Sequence, residues 1–195
     1  IRKSEKTIPA YIDFIDIAGL VKGASIGEGL GNKFLEHIRK VDAIAHVVRC
    51  FKDDNVSHVS SSINPLNDID TVETELKLAD LETLQKKLNT MEKENKSGDK
   101  KIKEQIKIIE QIQNKLNNDQ KINNLKLGKE GYDFLYSLNL ITHKPKFYIC
   151  NVDENSVVNG NTFSKSIKEK ANTESDDIVL VSAAIESQIA EFNII

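Results

Sequence analysis

Short, nearly continuous apolar runs alternate along the chain with segments of helical periodicity, and this alternation strongly limits the possible folds. The runs occupy residues 10–17, 43–50, 146–150 and 178–181. Strands that are apolar on both sides suit a sheet that is covered on both faces. Between the first two runs, apolar residues recur at helical spacing, namely Leu30, Phe34, Leu35, Ile38 and Val41. The pattern predicts a strand, helix, strand unit with parallel strands and a right-handed crossover.

The middle of the chain has a different pattern, in which two long apolar stripes of helical period follow each other. The first runs from Ile69 to about Met91 and the second from Ile102 to Leu116, with a polar, glycine-containing break at residues 95–99. Two stripes of similar length joined by a short turn predict an antiparallel helical hairpin. The hairpin is either an arm that binds a partner or a solvated insertion that packs only on itself.

After Tyr132 the alternation of helix and strand returns, so the hairpin is predicted to interrupt one domain instead of joining two. Short helices around residues 134–138 and 163–171 each precede one of the last two strands. We divide the chain accordingly. The three predicted parts are the first part of an α/β domain at residues 1–66, a helical insertion at 67–127, and the second part of the α/β domain at 128–195.

The composition argues against membrane insertion and against general binding to DNA. With 195 residues, of which 39% are hydrophobic, the chain can bury one ordinary core plus an appendage. No apolar stretch approaches the roughly 20 residues that span a bilayer, and the first residues lack a signal-peptide pattern. A net charge of −3 provides no overall attraction to nucleic acid. Cys50 and Cys150 end predicted buried strands, and we expect reduced thiols in a cytoplasmic protein.

Three short motifs occur in the order found in P-loop nucleotide hydrolases, and each follows an apolar run. They are Asp16-Ile17-Ala18-Gly19, Asn151-Val152-Asp153-Glu154 and Ser182-Ala183-Ala184. Each pattern is weak alone, but the ordered trio predicts a site for a nucleoside triphosphate and Mg²⁺. The phosphate-binding pattern G-x-x-x-x-G-K-[ST] does not occur in the sequence; the nearest candidate, residues 27–33, lacks the glycine before its lysine. We expect the chain, which begins with Ile1, to be an internal fragment with its phosphate loop upstream.

Longer motifs carry a resemblance to a known family. They are DIAGLVKGAS at residues 16–25, GEGLGNKFLEHIR at 27–39, HVVRCF at 46–51, ADLETL at 79–84, NVDE at 151–154 and SAAIE at 182–186. In this order they resemble the YchF or Obg-like ATPase family of translation-factor-related P-loop proteins. The resemblance implies a Ras-like P-loop NTPase domain with a mostly parallel sheet, an antiparallel coiled-coil insertion and a following TGS domain. It also implies a preference for ATP over GTP, and ribosomes, with the large subunit expected, as partners.

The first motif would supply the phosphate end of the site. Asp16, at the carboxyl end of its predicted strand, would hold Mg²⁺ through a water, and the Gly19 amide would donate to the γ-phosphate. Leu20 follows, where Ras-type hydrolases place the glutamine that orients water, and leucine cannot do this. The resemblance implies a histidine on the loop after the next strand instead, which is His58. A neutral imidazole can polarise water; the alternative is a solvated loop histidine without a catalytic role.

The base end departs from the guanine-type pattern NKxD. Val152 replaces the lysine and Glu154 replaces the aspartate. Adenine offers an acceptor at N1 and a donor at N6, so a carboxylate placed for guanine is no longer the matching partner. We expect Asn151 to contact the ring and the Val152 backbone to read the adenine edge, while Ser182 and Ala183 form the loop beneath the base. The alternative for both motifs is a strand that ends in a polar turn.

Other candidate features are less specific. Residues 23–31 contain four glycines and look like a second switch that rearranges when the γ-phosphate leaves, although a loose surface loop has the same composition. Three histidines, His37, His46 and His143, are too scattered in the sequence for a metal site. Six lysines cluster near the predicted hairpin tip, namely Lys93, Lys96, Lys100, Lys101, Lys103 and Lys107. Acidic residues interleave with them, which favours an ordinary charged surface over an RNA-binding patch.

Two classes of function are therefore open. The first is a nucleotide-dependent switch that hydrolyses ATP, with GTP as the weaker substrate. The second is a nucleotide-binding module that tethers the ribosome with little turnover. In a Ras-like sheet, the strand that feeds the phosphate loop lies between the strands at 10–17 and 43–50. We therefore expect the fragment alone to be inactive and not to fold as the native domain.

Overall fold

Three of the four predicted strands form one parallel sheet in a computed structural model, which describes residues 8–17, 30–52, 63–95 and 99–192. The strands are β1 (Ile44–Cys50), β2 (Lys146–Val152) and β3 (Asp177–Val181), in the order β1-β2-β3. Val47 is paired with Ile149, and Ile149 with Val179, so the three strands are aligned row by row. This confirms the α/β class and the parallel arrangement.

Six helices lie within the described residues. They are α1 (Leu30–Lys40), α2 (Pro65–Glu94), α3 (Lys100–Asn117), α4 (Lys129–Ser137), α5 (Thr162–Glu174) and α6 (Ala183–Phe192). Short 3-10 turns occupy Ile122–Asn124, Ile141–His143 and Glu154–Ser156. The first five helices match the predicted periodic segments, whereas α6 was not predicted. None of the helices in the described parts of the chain is long and apolar enough to cross a membrane.

Local sequence explains where two of these helices begin. Pro65 is at the first position of α2, where its missing N–H costs nothing, and the Asn64 side chain accepts a hydrogen bond from the Asn67 amide at 3.2 Å. At the start of α5, Asn161 and Ser164 form a reciprocal capping box. The α5 cap lies directly beside the end of β1, because the Asn161 side-chain amide donates to the Cys50 carbonyl at 2.7 Å.

The described helices bury mainly one face of the sheet. The core on this face comprises Val48, Cys50, Ile69, Tyr148, Cys150, Val152, Ile167 and Ala171. Cys50 and Cys150 are both buried free thiols, as expected. On the other face Val47 and Val179 are 63% and 47% exposed. We expected a sheet covered on both faces. In the described part of the chain, only one face is covered.

Helices α2 and α3 form the predicted antiparallel hairpin. Gln85 bonds Gln113 at 3.2 Å, and Lys77, which lies earlier on α2, bonds Asp119, which lies later in the chain, at 2.5 Å. The two helices therefore run in opposite directions. The hairpin core contains Leu84, Leu88, Met91, Ile109, Ile112 and Leu116. Because α2 runs without a break from the sheet, where Ile69 is buried, into this hairpin core, one rigid element connects the two. The predicted limits of the insertion, 67–127, stay a prediction.

The strand predicted at residues 10–17 is wrong for this structure. Residues 8–17 have no strand or helix assignment, and Tyr11, Ile12 and Phe14 are 80 to 84% exposed. A strand needs a ladder partner for its N–H and C=O groups. β2 pairs with one edge of β1, and the other edge of β1 has no partner among the described residues. The Ras-like strand order implied by the resemblance places another strand between residues 10–17 and β1. Apolar composition alone therefore could not produce the predicted strand pair.

Candidate functional site

Two of the predicted motifs meet at the carboxyl edge of the sheet. Asn151 lies near the end of β2, and its side-chain oxygen accepts a hydrogen bond from the backbone amide of Ala183 at 3.0 Å. Ala183 is the first residue of α6, directly after β3 and Ser182. Carboxyl ends of adjacent parallel strands are the usual ligand-binding edge of an open α/β sheet. The motifs that were predicted to hold the base are thus joined by a direct contact.

Val152 and Ser182 are both buried at this edge, with different consequences. Val152 is 2% exposed and its side chain packs in the core of the sheet, so this side chain does not face a ligand. Ser182 is also 2% exposed, and its hydroxyl has no hydrogen-bond partner among the described residues. A buried hydroxyl without a partner is costly, and the cost disappears when a ligand or water supplies the bond.

Glu154 follows β2 in the turn Glu154–Ser156 and is exposed. Its carboxylate accepts a hydrogen bond at 3.3 Å from the side-chain amide of Gln188, which lies on α6. The neighbouring Asp153 accepts a bond from the Ser156 hydroxyl at 2.8 Å, and this bond lowers the pKa of Asp153. Both carboxylates therefore have partners in their own turn or on α6.

A cavity of about 260 Å³ opens beside these motifs. Its walls are Phe51, Lys52, Asp153, Asn161, Thr162 and Phe163. Apart from Asp153, which belongs to the second motif, these residues were not predicted to line a site. Sequence patterns gave no sign of Phe51 or Lys52, whereas Asn161 followed by the α5 periodicity is a recognisable helix cap. Only the fold brings the end of β1 and the start of α5 to the same place.

The predicted phosphate end is only partly described. Asp16 lies in the segment 8–17, which has no strand or helix assignment; it is exposed there and does not line the cavity. Gly19, Leu20 and His58 lie outside the described residues, as does most of the glycine-rich segment 23–31. Convergence of the aspartate-glycine motif with the base motifs therefore remains a prediction.

The fit of Mg²⁺ rests on Asp16. Within the described ranges, no group of three histidine, cysteine or carboxylate side chains is arranged to hold a metal ion. Mg²⁺ at a phosphate site keeps several waters and uses one or two carboxylates together with the phosphates. The exposed carboxylate of Asp16 suits this kind of contact. When bound, the ion would neutralise charge on the phosphate oxygens.

The opposite, amino-terminal edge of the sheet carries a charge network that sequence reasoning missed. It consists of Glu73 on α2, Lys146 and Tyr148 on β2, Lys170 and Glu174 on α5, and Asp176 before β3. The Tyr148 side chain is fully buried, and its hydroxyl donates to Glu73 at 2.7 Å and accepts from Lys146 at 2.9 Å. The members come from three distant stretches of the sequence, at residue 73, at 146–148 and at 170–176, so no single local pattern marks the network.

Burial and charge act in opposite directions on these pKa values. Burial alone would raise the pKa of Glu174, but bonds from Lys170 at 2.8 Å and Lys146 at 3.1 Å outweigh it and lower the pKa to about 2. Burial would also raise the pKa of Glu73, and its bonds to Lys146 and Tyr148 lower it overall. On β1, burial lowers the pKa of His46, whose ring lies 5.8 Å from that of Tyr148. The network lies at the strand ends opposite to the motifs, where it links α2, β2 and α5.

The domain, a parallel sheet with asparagine and serine motifs joined at its carboxyl edge, has the Ras-like P-loop GTPase fold. Comparison with known proteins agrees, since residues 2–130 match the model of a family described as 50S ribosome-binding GTPase. The chain belongs to this family and, within it, to the YchF proteins.

Individual relatives show how far the similarity extends. Over 98% of its own length, the chain is 47% identical to the ribosome-binding ATPase YchF of Haemophilus influenzae. Over 96% of its own length, it is 43% identical to the ribosome-binding ATPase YchF of Bacillus subtilis. It spans 52% of the length of each. The solved structure of the Schizosaccharomyces pombe YchF GTPase matches with a TM-score of 0.75 at 34% identity, over 91% of this chain and 49% of that one. The chain thus spans about half the length of these relatives.

Proposed function

We propose that the full-length protein is a cytoplasmic, Mg²⁺-dependent switch ATPase that binds and hydrolyses ATP, and GTP more weakly, in association with the large ribosomal subunit. The curated relatives are named ribosome-binding ATPases, whereas the solved relative is named a GTPase. The identity of the base is therefore the part of the proposal that most needs a structural argument.

The contact between Asn151 and Ala183 carries the proposal. It holds the loop after β3 against the end of β2 at 3.0 Å, which leaves the Asn151 side-chain N–H groups available for a base. The unpaired hydroxyl of Ser182 lies next to Ala183 and would gain a bond from a ligand or an ordered water. The Val152 side chain is committed to the core, so its backbone is the group proposed to read the adenine edge.

The position of Glu154 supports the preference for ATP. In a guanine site the carboxylate at this position accepts two donors from the base. Here the Glu154 carboxylate accepts from Gln188 on α6 at 3.3 Å. This bond holds one carboxylate oxygen towards α6, so Glu154 would have to turn away from Gln188 to present both oxygens to guanine. Adenine lacks the two guanine donors, so it does not require the rearrangement.

The phosphate end is proposed from the motif chemistry. Asp16 would contact Mg²⁺ through water, Gly19 would donate its amide to the γ-phosphate, and His58 would polarise the attacking water. The helical insertion, proposed at residues 67–127, would be the part that reaches towards a partner. Leu20 favours the second candidate function, a tethering module that binds nucleotide with little turnover, because leucine cannot orient water.

Nucleotide binding by the full-length protein tests the base site. We expect wild-type protein to bind ATP more tightly than GTP in calorimetric titrations with Mg²⁺. Asn151→Ala should weaken ATP binding about tenfold, since roughly 1.4 kcal/mol is lost with the ring contact and the loop tether. Asn159→Ala makes the same chemical change at an exposed position of the next turn and should leave the affinity unchanged. Equal affinities for Asn151→Ala and wild type would contradict the base site.

Turnover separates the two candidate functions. A switch ATPase should hydrolyse ATP well above the background rate, and His58→Ala should lower kcat by about 10²-fold without a matching loss of affinity. Background turnover by wild-type protein that binds ATP normally would favour the tethering module. Full activity of His58→Ala would remove the catalytic assignment of the histidine but not the ATPase.

A further inference from the structure

A fully buried carboxylate lies in the middle of α2, outside both the nucleotide motifs and the charge network. Asp80 is 0% exposed, accepts three hydrogen bonds and forms one ion pair. The donors are the Ile141 amide at 3.1 Å and the Thr142 amide and hydroxyl at 2.8 Å each, and the ion pair is with the guanidinium of Arg39 at 3.1 Å. Asp80 is four residues from both Leu76 and Leu84, so a charge interrupts the apolar stripe of the helix.

Arg39 is the only cation bonded to Asp80 among the described residues, and it comes from the end of α1. Its guanidinium also donates to the Asn139 carbonyl at 3.0 Å, the Ala79 carbonyl at 3.3 Å and the Thr83 hydroxyl at 2.9 Å. In return the Asn139 side chain donates to the Arg39 carbonyl at 3.0 Å. Because the planar guanidinium of Arg39 is bound to several fixed acceptors, it resists both sliding and rotation of α1 against α2.

Apolar contacts connect the same helix to the phosphate end of the proposed site. Leu35 and Ile38 of α1 are buried together with Ala79 of α2 and Ile141. Ile17, which directly follows Asp16, packs against this group. A continuous set of contacts therefore runs from Asp16-Ile17 through α1 to Arg39, and from Asp80 into the helix that forms the hairpin.

The energetics make the connection stiff. If α1 moved without α2, Asp80 would stay buried without its cation, and removal of one partner of a buried ion pair is strongly unfavourable. Because α2 is continuous from Asp80 to the hairpin core at Leu84 and Leu88, a displacement at its base is carried along a rigid helix.

We propose that the Arg39–Asp80 ion pair is the joint through which nucleotide binding moves the helical hairpin. The inference rests on the proposed function and adds its route of regulation. Arg39 and Asp80 are positioning residues, since neither is placed against the nucleotide motifs. The affinity of a partner for the hairpin would then depend on the bound nucleotide.

Hydrogen exchange of the full-length protein, with and without ATP and Mg²⁺, tests the joint. In wild-type protein, nucleotide should change the exchange rates of α3 amides at least twofold. In Arg39→Gln this change should fall to less than half of the wild-type value, while calorimetry shows ATP affinity within about threefold of wild type. A merely structural role for Arg39 would alter exchange in both states equally and would leave the nucleotide-dependent difference intact.

Lys40→Gln is the matched control. Lys40 is next to Arg39 on α1 and pairs with Glu36 of the same helix at 2.8 Å, with both side chains more than 60% exposed. This variant loses a cation without touching α2, and its nucleotide-dependent difference should equal that of wild type. A reduced difference in Lys40→Gln would show that any charge change on α1 suffices, and it would overturn the assignment to the ion pair.

Other outcomes are equally decisive. An unchanged hairpin response in Arg39→Gln, or no response in wild type that binds ATP, overturns the joint and leaves the proposed function standing. Absence of ATP binding by wild type contradicts the proposed function, and it also overturns the proposal that the ion pair is the joint. If Arg39→Gln does not fold, Asp80→Asn keeps the size of the side chain but removes the ion pair, and a full wild-type response in that variant overturns the joint.

Discussion

Gly160 shows how one residue sets the local geometry of this fold. Its backbone angle φ is +67°, a conformation that residues with a side chain rarely adopt. A Cβ at this position would lie 2.5 Å from the Ser164 hydroxyl. That hydroxyl accepts from the Asn161 amide at 2.9 Å in the cap of α5. The glycine therefore permits both the turn and the cap beside the cavity.

We expect Gly160→Ala to destabilise the full-length protein by about 1 to 3 kcal/mol, from strained backbone and a displaced cap. The free energy of unfolding in urea measures this. Gly128→Ala is the control, because Gly128 has a φ of −73° and nothing lies within 4 Å of an added Cβ. That variant should stay within about 0.5 kcal/mol of wild type. Similar losses in the two variants would contradict the geometric explanation.

The helical hairpin has a buried core of its own, separate from the core under the sheet. Its core residues Leu84, Ile109 and Ile112 are fully buried, and they contact one another and the segments that follow α3. The stripes that form this core are visible in the sequence as a 3.6-residue period. Whether the hairpin binds a partner is not visible there, because its exposed surface mixes lysine with glutamate.

Ile112→Ala should destabilise the hairpin by about 2 to 4 kcal/mol, since a fully buried side chain is replaced by a cavity. Hydrogen exchange of α3 amides in the full-length protein checks this and should show faster opening of α3. Gln111→Ala changes the neighbouring exposed residue and should have little effect. Unaltered exchange in Ile112→Ala would mean that the hairpin is held by something other than its own core.

At the scale of the whole molecule, the charge network connects α2, β2, α5 and the residue before β3 at the amino-terminal edge of the sheet. Its effect on stability has a definite sign. The pKa of Glu174 is about 2 in the fold and 4.5 as the ordinary value, so the unfolded chain binds the proton more readily. Stability from this group is present above pH 4.5 and is lost as the pH falls towards 2.

His46 also makes the protein less stable as the pH falls, but at a higher pH than Glu174 does. Burial lowers its pKa from 6.5, so stability falls as the pH drops below 6.5 and the unfolded chain takes up the proton. We expect the urea midpoint to decrease from pH 7 to pH 4 and more steeply below it. Glu174→Gln should remove about 1 kcal/mol of this dependence below pH 4.5, after allowance for solvent screening. An unchanged pH profile for Glu174→Gln would contradict its role in the network.

Most of the fold could be predicted from local patterns, as β1, β2, β3 and the hairpin show. The apolar run at residues 10–17 resembles these strands in composition, yet it forms none, because no strand of the described residues pairs with it in a ladder. Asp80 could have been noticed as a charge in an apolar stripe, but its partners Arg39 and Thr142 are about 40 and 60 residues away in the sequence. No local signal connects them.

The sequence on its own specified the helix and strand periods, the order of the nucleotide motifs and the family they resemble. These are properties of neighbouring residues, and the physics that produces them acts over a few positions of the chain. The tertiary structure specified which strands pair, that Asn151 bonds Ala183, and that Asp80 is buried against Arg39. Hydrogen-bond partners and burial depend on residues far apart in the chain, so they exist only once the elements have packed.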